Sequence, residues 1–478
     1  MDYNQTNNAV VDGGLKSDSL GTWELCGVSL AQMAPAYSLF TTLGLIVAGV
    51  GFGAPVVFLL AAIATFFHVN TVAEFSRKCP SAGSYTCFIS RTFGNYTGIT
   101  VGLVFVIAQI LEIASIVLVL GTWIHFSLFQ ITGININWLF LMCLFLAVAL
   151  FVCIRGVTIS TGFAVALFGF EVLVLVIAST AMIATHVHSI SLKPFDLGKL
   201  FTNFSGLGLA FPLAVYPYLG SSNAAAMAEE ARNPRSSIRI AVFLSTIIGG
   251  LLYVGCSYAT IVGSGFNSKL LTAGSYPLIT VADRSLGRFS FILLIAGVTS
   301  TISLTVVILN AISRVVYNLS REGVLPKPLS ASHAEYKTPH VALYGIATLS
   351  AILAAVIGVI YGPINAFNWT GTLGTIPLII IFVIVNIALP IYFYRNHRDD
   401  FSVIPHVLFP LIGSIVYLLP IYASVEPGQP LPYNYFGMTT LVFFMLGVVY
   451  SRYLVTRHKS RLNLGLYVDS PTSIDRID

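Results

Sequence analysis

Two stretches of the 478-residue sequence decide its fold. The first reads Leu30-Ala-Gln-Met-Ala-Pro-Ala-Tyr-Ser-Leu39, and the second reads Phe211-Pro-Leu-Ala-Val-Tyr-Pro-Tyr-Leu-Gly-Ser-Ser-Asn223. Each lies in a long apolar run, yet each contains proline, which removes a backbone donor and clashes with the preceding helical turn. Irregular backbone at membrane depth persists only where it lines a protein interior or a water-filled cavity. The two stretches therefore predict two interrupted helices beside a cavity.

The rest of the sequence has the composition of a protein dissolved in lipid. Hydrophobic residues make up 56% of the chain and charged residues 9%, and the mean hydropathy is +0.86. An ordinary soluble domain carries about a quarter charged residues. This composition excludes a water-soluble enzyme, a nucleic-acid-binding protein and a single-span receptor. The six cysteines have no Cys-x-x-Cys spacing, so we predict no metal site.

Apolar runs bounded by charges, Gly and Pro predict twelve membrane-spanning helices, because a hydrocarbon core of about 30 Å requires roughly 20 helical residues. The runs lie near 23–48, 55–75, 97–121, 138–154, 159–186, 207–230, 239–263, 290–316, 341–361, 367–393, 404–424 and 434–454. An even number of spans places both termini on one side. Basic residues are enriched in cytoplasmic loops, and with cytoplasmic termini only five of the 24 Lys and Arg residues fall in outer loops. The sequence thus predicts a multi-pass protein of the cell membrane with both termini in the cytoplasm.

The two interrupted spans are the first and the sixth. They occupy corresponding positions if spans 1–5 and 6–10 are two structural halves. Paired discontinuous helices in equivalent repeats are the best sequence indication of a transporter binding site at the bilayer midplane.

Three motifs in the predicted cytoplasmic loops carry a family resemblance. They read Pro80-Ser-Ala-Gly-Ser-Tyr85 after span 2, Glu229-Glu-Ala-Arg-Asn-Pro234 after span 6, and Arg314-(x)₆-Arg-Glu-Gly-Val-Leu-Pro326 after span 8, the last followed by Thr338-Pro339. In this order, and at these spans, they closely resemble the amino acid–polyamine–organocation superfamily of permeases.

The resemblance implies an all-α integral membrane protein that carries amino acids or related amines by alternating access. It implies a five-plus-five inverted-repeat core with discontinuous helices 1 and 6. The first repeat would occupy 21–190 and the second 191–395, with two further spans at 396–456 and cytoplasmic tails at 1–20 and 457–478.

A zwitterionic amino acid matches the two ends exposed by a broken helix. The free N–H groups at the start of the second half of span 1, at Ala36, Tyr37 and Ser38, would bind the carboxylate. Free carbonyls of residues 32–34 and 216–219 would bind the ammonium group. The predicted substrate-binding residues are Met33, Ala34, Pro35, Ala36, Tyr37, Ser38, Tyr216, Pro217, Leu219, Gly220 and Ser222.

The resemblance adds roles to some of these residues. Ala34, Pro35 and Ala36 occupy the family's glycine- and serine-rich position in span 1, and Pro35 departs from that pattern because it donates no hydrogen bond. Tyr216 falls where the family carries an aromatic gate over the substrate, and a buried core tyrosine is the alternative. Ser222 stands where many members carry an acidic residue, which argues against strongly cationic substrates.

Two acidic residues are candidates for ion coupling. Glu171 and Glu112 are each the only formally charged residue in their predicted spans. A charge at the bilayer centre costs roughly 3 kcal/mol on insertion scales, so each needs a partner, a water path or a proton. Glu171 falls where some proton-coupled relatives carry a lysine that stands in for sodium. A structural carboxylate satisfied by neighbouring hydroxyls is the alternative for Glu171. For Glu112 the alternatives are a position facing the substrate cavity with Gln109 and pairing with another helix.

Proton symport is the preferred coupling mode. Sodium coupling is the second choice, with the hydroxyls of Ser300 and Thr301 as ligands beside a broken-helix carbonyl, and exchange without a coupling ion is the third. No cofactor beyond the coupling ion is expected, and the predicted partners are a small amino acid and membrane lipid.

The alternative functions are a polyamine or organic amine carrier, and a channel or amino-acid-sensing receptor on the same fold. A membrane-embedded enzyme is disfavoured because no His/Asp/Glu or Ser/His cluster lies in the spans. The particular amino acid and the oligomeric state do not follow from the sequence.

Overall fold

The protein is a bundle of α-helices. The computed structural model describes residues 14–202, 204–272, 276–426 and 428–457, and no β-strand occurs among them. The first helices are α1 Thr22–Met33, α2 Pro35–Val50, α3 Ala54–Lys78, α4 Tyr85–Phe93, α5 Asn95–Thr132, α6 Trp138–Ile154, α7 Val157–Thr185, α8 Leu197–Thr202 and α9 Phe204–Val215. After a long 3₁₀ helix they continue as α10 Pro234–Gly263, α11 Ser268–Thr272, α12 Pro277–Leu286, α13 Phe291–Arg321, α14 His340–Tyr361, α15 Pro363–Asn396, α16 Phe409–Val425 and α17 Phe436–Arg457. Residues 1–13 and 458–478 of the predicted tails lie outside the described residues.

Several of these helices have the length and composition of membrane spans. In the described part of the chain, nine helical segments are long and apolar enough to cross a bilayer, and α6 is apolar but shorter, with 17 residues. The segment Thr22–Lys78 counts once although it contains α1, α2 and α3. Large apolar side chains such as Leu251 and Val449 lie on the outer surface, 70% and 67% exposed. A surface of this kind is stable in lipid rather than in water, so the chain is a multi-pass membrane protein.

The predicted interruption of the first span is present at a single residue. Ala34 joins α1 to α2 in the left-handed conformation, with φ +46° and ψ 64°. Pro35 is the first residue of α2. An N–H group at this position has no acceptor within the helix, so proline, which lacks the N–H, costs no hydrogen bond here. A left-handed L-residue costs about 1–2 kcal/mol, and it turns the chain so that the end of α1 and the start of α2 both expose backbone groups.

The sixth span differs from the prediction of an unwound backbone. At Tyr216 the α-helix α9 changes to a 3₁₀ helix, Tyr216–Glu230, and only Met227 within it leaves helical dihedrals. Pro217 lies at the start of this 3₁₀ helix, where a missing donor is tolerated. The discontinuity at Tyr216 is therefore a tightening of the helix, and a kink follows at Met227. Long 3₁₀ stretches are uncommon and often mark a functional hinge.

Helix α5 lies at the centre of the bundle and packs against α15, α13, α6 and α17. Its contact with α15 is a close approach of two backbones. A Cβ atom on Gly374 would lie 2.8 Å from the Ala108 carbonyl oxygen, and one on Gly371 would lie 2.8 Å from the Ser115 hydroxyl. Small residues of this kind allow membrane helices to pack closely, and here they bring the side chains of α15 into the interior.

Two of the three sequence motifs meet at the end of the bundle that carries Leu20. Arg314 and Glu230 form an ion pair with both side chains buried, in which Arg314 Nη2 donates to Glu230 Oε1 at 2.8 Å. Arg321 pairs with Glu229, with Nη1 donating to Oε2 at 3.1 Å. The N–H group of Leu20 donates to the Glu230 carbonyl at 2.9 Å. We call this arrangement of Leu20, Glu229, Glu230, Arg314 and Arg321 the closed end of the bundle.

Candidate functional site

The first N–H groups of α2 are held by side chains from two other helices. The Ala36 N–H donates to Glu171 Oε1 on α7, and the Tyr37 N–H donates to the Ser300 hydroxyl on α13 at 3.3 Å. The Ser300 hydroxyl in turn donates to Glu171 Oε1 at 2.9 Å. Glu171 is completely buried. A helix N-terminus carries partial positive charge, so a carboxylate at this position is electrostatically favourable.

The carbonyl groups at the break also have internal partners. The Met33 carbonyl accepts hydrogen bonds from the Tyr253 hydroxyl at 2.7 Å and from the Ser38 hydroxyl at 2.8 Å. The Tyr253 oxygen also lies 3.4 Å from the Pro217 carbonyl oxygen, so this α10 side chain links the two interrupted spans. In this conformation four of the backbone groups predicted to bind an amino acid are paired within the protein: the N–H groups of Ala36 and Tyr37 and the carbonyls of Met33 and Pro217.

A cavity of about 440 Å³ lies beside this region. It extends from Tyr37 and Tyr216 toward Gln429 and Tyr433, away from the closed end. Its lining consists of Tyr37, Thr41, Thr42, Leu45, Pro212, Leu213, Tyr216, Phe367, Asn368, Gly371, Thr372, Thr375, Ile379, Pro420, Ser424, Gln429 and Tyr433, none of which is charged. The buried Tyr37 hydroxyl has no hydrogen-bond partner among the described residues, so it is available to a solute.

Most of the cavity wall, including its α15 side, was not predicted from the sequence. Phe367, Asn368 and Thr372 of α15 line it, and the Phe367 ring meets the Tyr37 ring edge-on, with centroids 6.5 Å apart. A signal was present in the sequence, because residues 367–375 place one amide and three hydroxyls in an otherwise apolar span. Nothing in that pattern, however, indicates that α15 faces the broken helix.

Glu112 lies directly behind the cavity wall. Its Oε1 atom accepts a hydrogen bond from the Thr375 hydroxyl at 3.3 Å, and Thr375 lines the cavity. Glu112 is 8% exposed, in contrast to the complete burial of Glu171. The two acids therefore lie in different surroundings, one behind α15 and the other at the start of α2.

Several predicted substrate residues lie outside the cavity lining. Gly220 packs against α1, where an added Cβ would lie 2.8 Å from the Gln32 carbonyl carbon. The Ser222 hydroxyl lies 2.5 Å from the hydroxyl of Tyr85, the last residue of the first motif. Leu219 is partly buried against the core. Of the predicted substrate-binding set, the cavity brings together only Tyr37 and Tyr216.

The hydroxyls of the two predicted sodium ligands, Ser300 and Thr301, bond to different partners. Ser300 reaches Glu171, but the Thr301 hydroxyl donates to the Gly297 carbonyl of its own helix at 3.1 Å. Among the described residues, no group of three or more His, Cys, Asp or Glu side chains could hold a metal ion.

These features define a class of protein: an integral membrane protein with a solute-sized interior cavity that ends at a broken helix. A family profile described as amino acid permease matches residues 20–448. The chain therefore belongs to the amino acid permease family, which confirms the resemblance seen in the three motifs.

Individual relatives are similar over different shares of their length, two of them over more than three quarters. The branched-chain amino acid permease BcaP of Bacillus subtilis (strain 168) is 22% identical over 475 residues, covering 93% of this chain and 94% of that protein. The gamma-aminobutyric acid permease of Escherichia coli (strain K12) is 27% identical over 403 residues, covering 78% and 79%. The cystine/glutamate transporter of Homo sapiens is 30% identical over 154 residues, covering 32% and 30%.

Proposed function

We propose that this chain is a secondary active transporter that imports neutral amino acids across the cell membrane by alternating access, with proton symport. The proposal includes twelve spans, the inverted repeats 21–190 and 191–395, two further spans at 396–456, and both termini in the cytoplasm. The predicted tails, 1–20 and 457–478, complete this arrangement.

One observation carries the proposal: the 440 Å³ cavity that ends at Tyr37 and Tyr216 beside the break. Its volume falls within the range of about 300–1,000 Å³ typical of small-molecule sites. Because its described lining is uncharged, the cavity favours a neutral amino acid over a polyamine, whose ammonium groups would require carboxylates. The names of the branched-chain amino acid and gamma-aminobutyric acid permeases agree with such a cargo.

The direction of the cavity supports alternating access. The ion pairs of the closed end join Glu229 and Glu230 to α13 at one side of the bundle, while the cavity extends toward the other side. With cytoplasmic termini this is the outward-facing arrangement, and transport requires the closed end to open. Tyr216, at the inner limit of the cavity, is the proposed gate over the cargo.

The function is tested by uptake of labelled neutral amino acids into proteoliposomes with an imposed proton or sodium gradient. We expect accumulation when the outside is acidic, and no stimulation by sodium. Accumulation driven by sodium alone would assign coupling to Ser300 and Thr301. Uptake that requires internal amino acid and ignores both gradients would identify an exchanger, and the absence of uptake of any amine would refute the transport assignment.

Glu171 is the proposed proton-coupling residue, because its buried carboxyl joins α7, α13 and the start of α2. In Glu171→Gln, gradient-driven accumulation is expected to fall to the level without a gradient, because a glutamine amide does not take up and release a proton as a carboxyl group does. Counterflow of labelled amino acid should persist because the side chain keeps its shape. Normal accumulation by this variant would exclude Glu171 from coupling and leave Glu112 as the candidate.

A further inference from the structure

The start of α2 already binds a carboxyl group, and that group belongs to the protein. Ala36 N–H donates to Glu171 Oε1, and Ser300 connects the same oxygen to the Tyr37 N–H. We propose that Glu171 is an internal stand-in for the cargo carboxylate, and that the two carboxylates compete for the N–H groups of Ala36 and Tyr37. This inference rests on the proposed function and explains how a proton and a cargo molecule would be coupled.

The geometry places both competitors within reach of one site. Tyr37 contributes its N–H group to the Ser300 contact and also lines the cavity, so one of the two contested donors belongs to a residue of the cavity wall and the other to its chain neighbour Ala36. Glu171 Oε2 is buried and has no hydrogen-bond partner among the described residues, so the carboxyl is only half satisfied where it lies. A group held in this way can leave its position at a lower cost than a fully bonded one.

The electrostatics of the site admit only one negative charge. Helix α2 has 16 residues, and its N-terminus offers the equivalent of about half a positive charge. The titratable groups that interact with Glu171 are Tyr253 and Cys256 of α10, while α13 presents the Ser300 hydroxyl and α2 the Ala36 amide. No Lys or Arg among the described residues of α1, α2, α6, α10, α12 or α13 forms an ion pair with it. Two carboxylates at this site would therefore repel each other, with no Lys or Arg side chain of these helices paired to Glu171 to offset the repulsion.

Protonation of Glu171 resolves the competition. A neutral carboxyl no longer needs the Ala36 N–H, which is then free for the cargo carboxylate. Because linkage is reciprocal, a proton raises cargo affinity and bound cargo favours the protonated carboxyl by the same factor. Symport follows, since the cargo binds in the cavity with its carboxylate at α2 only when the proton is present.

The test is equilibrium binding of a labelled neutral amino acid to the purified full-length protein at about pH 5 to about pH 8, where the cargo itself stays zwitterionic. The wild type is expected to bind more weakly as the pH rises. Glu171→Ala should bind with affinity that does not depend on pH and that exceeds the wild-type affinity by at least about twofold at the alkaline end. Unchanged or weaker binding by Glu171→Ala at the alkaline end would overturn the inference.

A second variant and a second ligand distinguish the proposed competition from a folding defect of Glu171→Ala. Ser300→Ala removes the hydroxyl that holds Glu171 and should raise alkaline affinity in the same direction. Its matched control is Ser303→Ala, because the Ser303 hydroxyl bonds only to the Ser300 carbonyl of its own helix and should not alter binding. The amide derivative of the same amino acid lacks a carboxylate, so its affinity should not rise in Glu171→Ala. An equal response of the amide and the amino acid would also overturn the inference.

These outcomes are distinct from those of the proposed function. Proton-driven uptake by the wild type, combined with unchanged binding by Glu171→Ala, would keep the transport assignment and reject the competition. Absence of uptake would reject the assignment itself.

Discussion

Arg314→Ala is expected to destabilise the protein by about 3–5 kcal/mol, the usual cost of leaving one partner of a buried ion pair without its counter-charge. Arg314 and Glu230 are buried in the closed end, and Arg314 also donates to the Asn310 carbonyl at 2.6 Å. Removing the guanidinium leaves the buried Glu230 carboxylate without its counter-charge. The free energy of unfolding is measured by denaturant or thermal unfolding of the purified protein in detergent micelles.

The closed end supplies its own control for that prediction. Arg321 pairs with Glu229, but these two side chains retain 16% and 17% exposure, so Arg321→Ala should cost less than Arg314→Ala. Replacing both buried charges together, in Arg314→Met/Glu230→Leu, should recover most of the lost stability, because apolar residues of similar volume often replace a buried pair without loss. A destabilisation of Arg314→Ala below about 1 kcal/mol, or a double variant as unstable as the single one, would contradict this account.

Gly220→Ala is expected to reduce transport at least about tenfold, with a smaller effect on stability of about 1–3 kcal/mol. A Cβ atom at residue 220 would lie 2.7 Å from Gln32 Cγ and 2.8 Å from the Gln32 carbonyl carbon. Since the second atom is backbone, the 3₁₀ helix has to move away from α1, next to the break at Ala34. Uptake is measured in proteoliposomes at equal amounts of reconstituted protein.

The matched control for this prediction lies in the same span. Gly208 of α9 is exposed, and a Cβ atom there meets nothing within 4 Å. Gly208→Ala should leave uptake unchanged and stabilise the helix slightly, since alanine has the higher helix propensity. Equal uptake by Gly220→Ala and Gly208→Ala would mean that close contact between the two interrupted spans does not matter for transport.

The two interrupted spans show which features of the backbone a local sequence pattern predicts and which it does not. Proline in an apolar run predicted both interruptions, and in span 1 a single left-handed residue, Ala34, produces the break. In span 6 the same residue types produce a 3₁₀ helix, because Pro217 at its start has no donor to lose and Gly220 allows close packing on α1. Proline thus indicated where helical geometry changes, whereas the packing of neighbouring helices determined how it changes.

The candidate site was likewise predicted from the sequence only in part. Glu171 stood out because a lone acid in an apolar run needs a partner, and the structure supplies Ala36 and Ser300 as that partner. The α15 wall of the cavity did not stand out, because Phe367 and Thr372 are unremarkable in sequence and acquire meaning only from the side of α15 that faces Tyr37.

The sequence by itself determined that the chain lies in lipid, where its helices run, where the break at Ala34–Pro35 falls and to which family it belongs. These features follow from hydropathy, proline geometry and short motifs, each of which involves only a few neighbouring residues. The tertiary structure alone decided which groups meet at the break. Ala36 and Glu171 are 135 residues apart, and Tyr37 and Ser300 are 263 apart. Such contacts depend on which face each helix turns toward its neighbours, and that choice is made by the packing of the whole bundle rather than by any local stretch of chain.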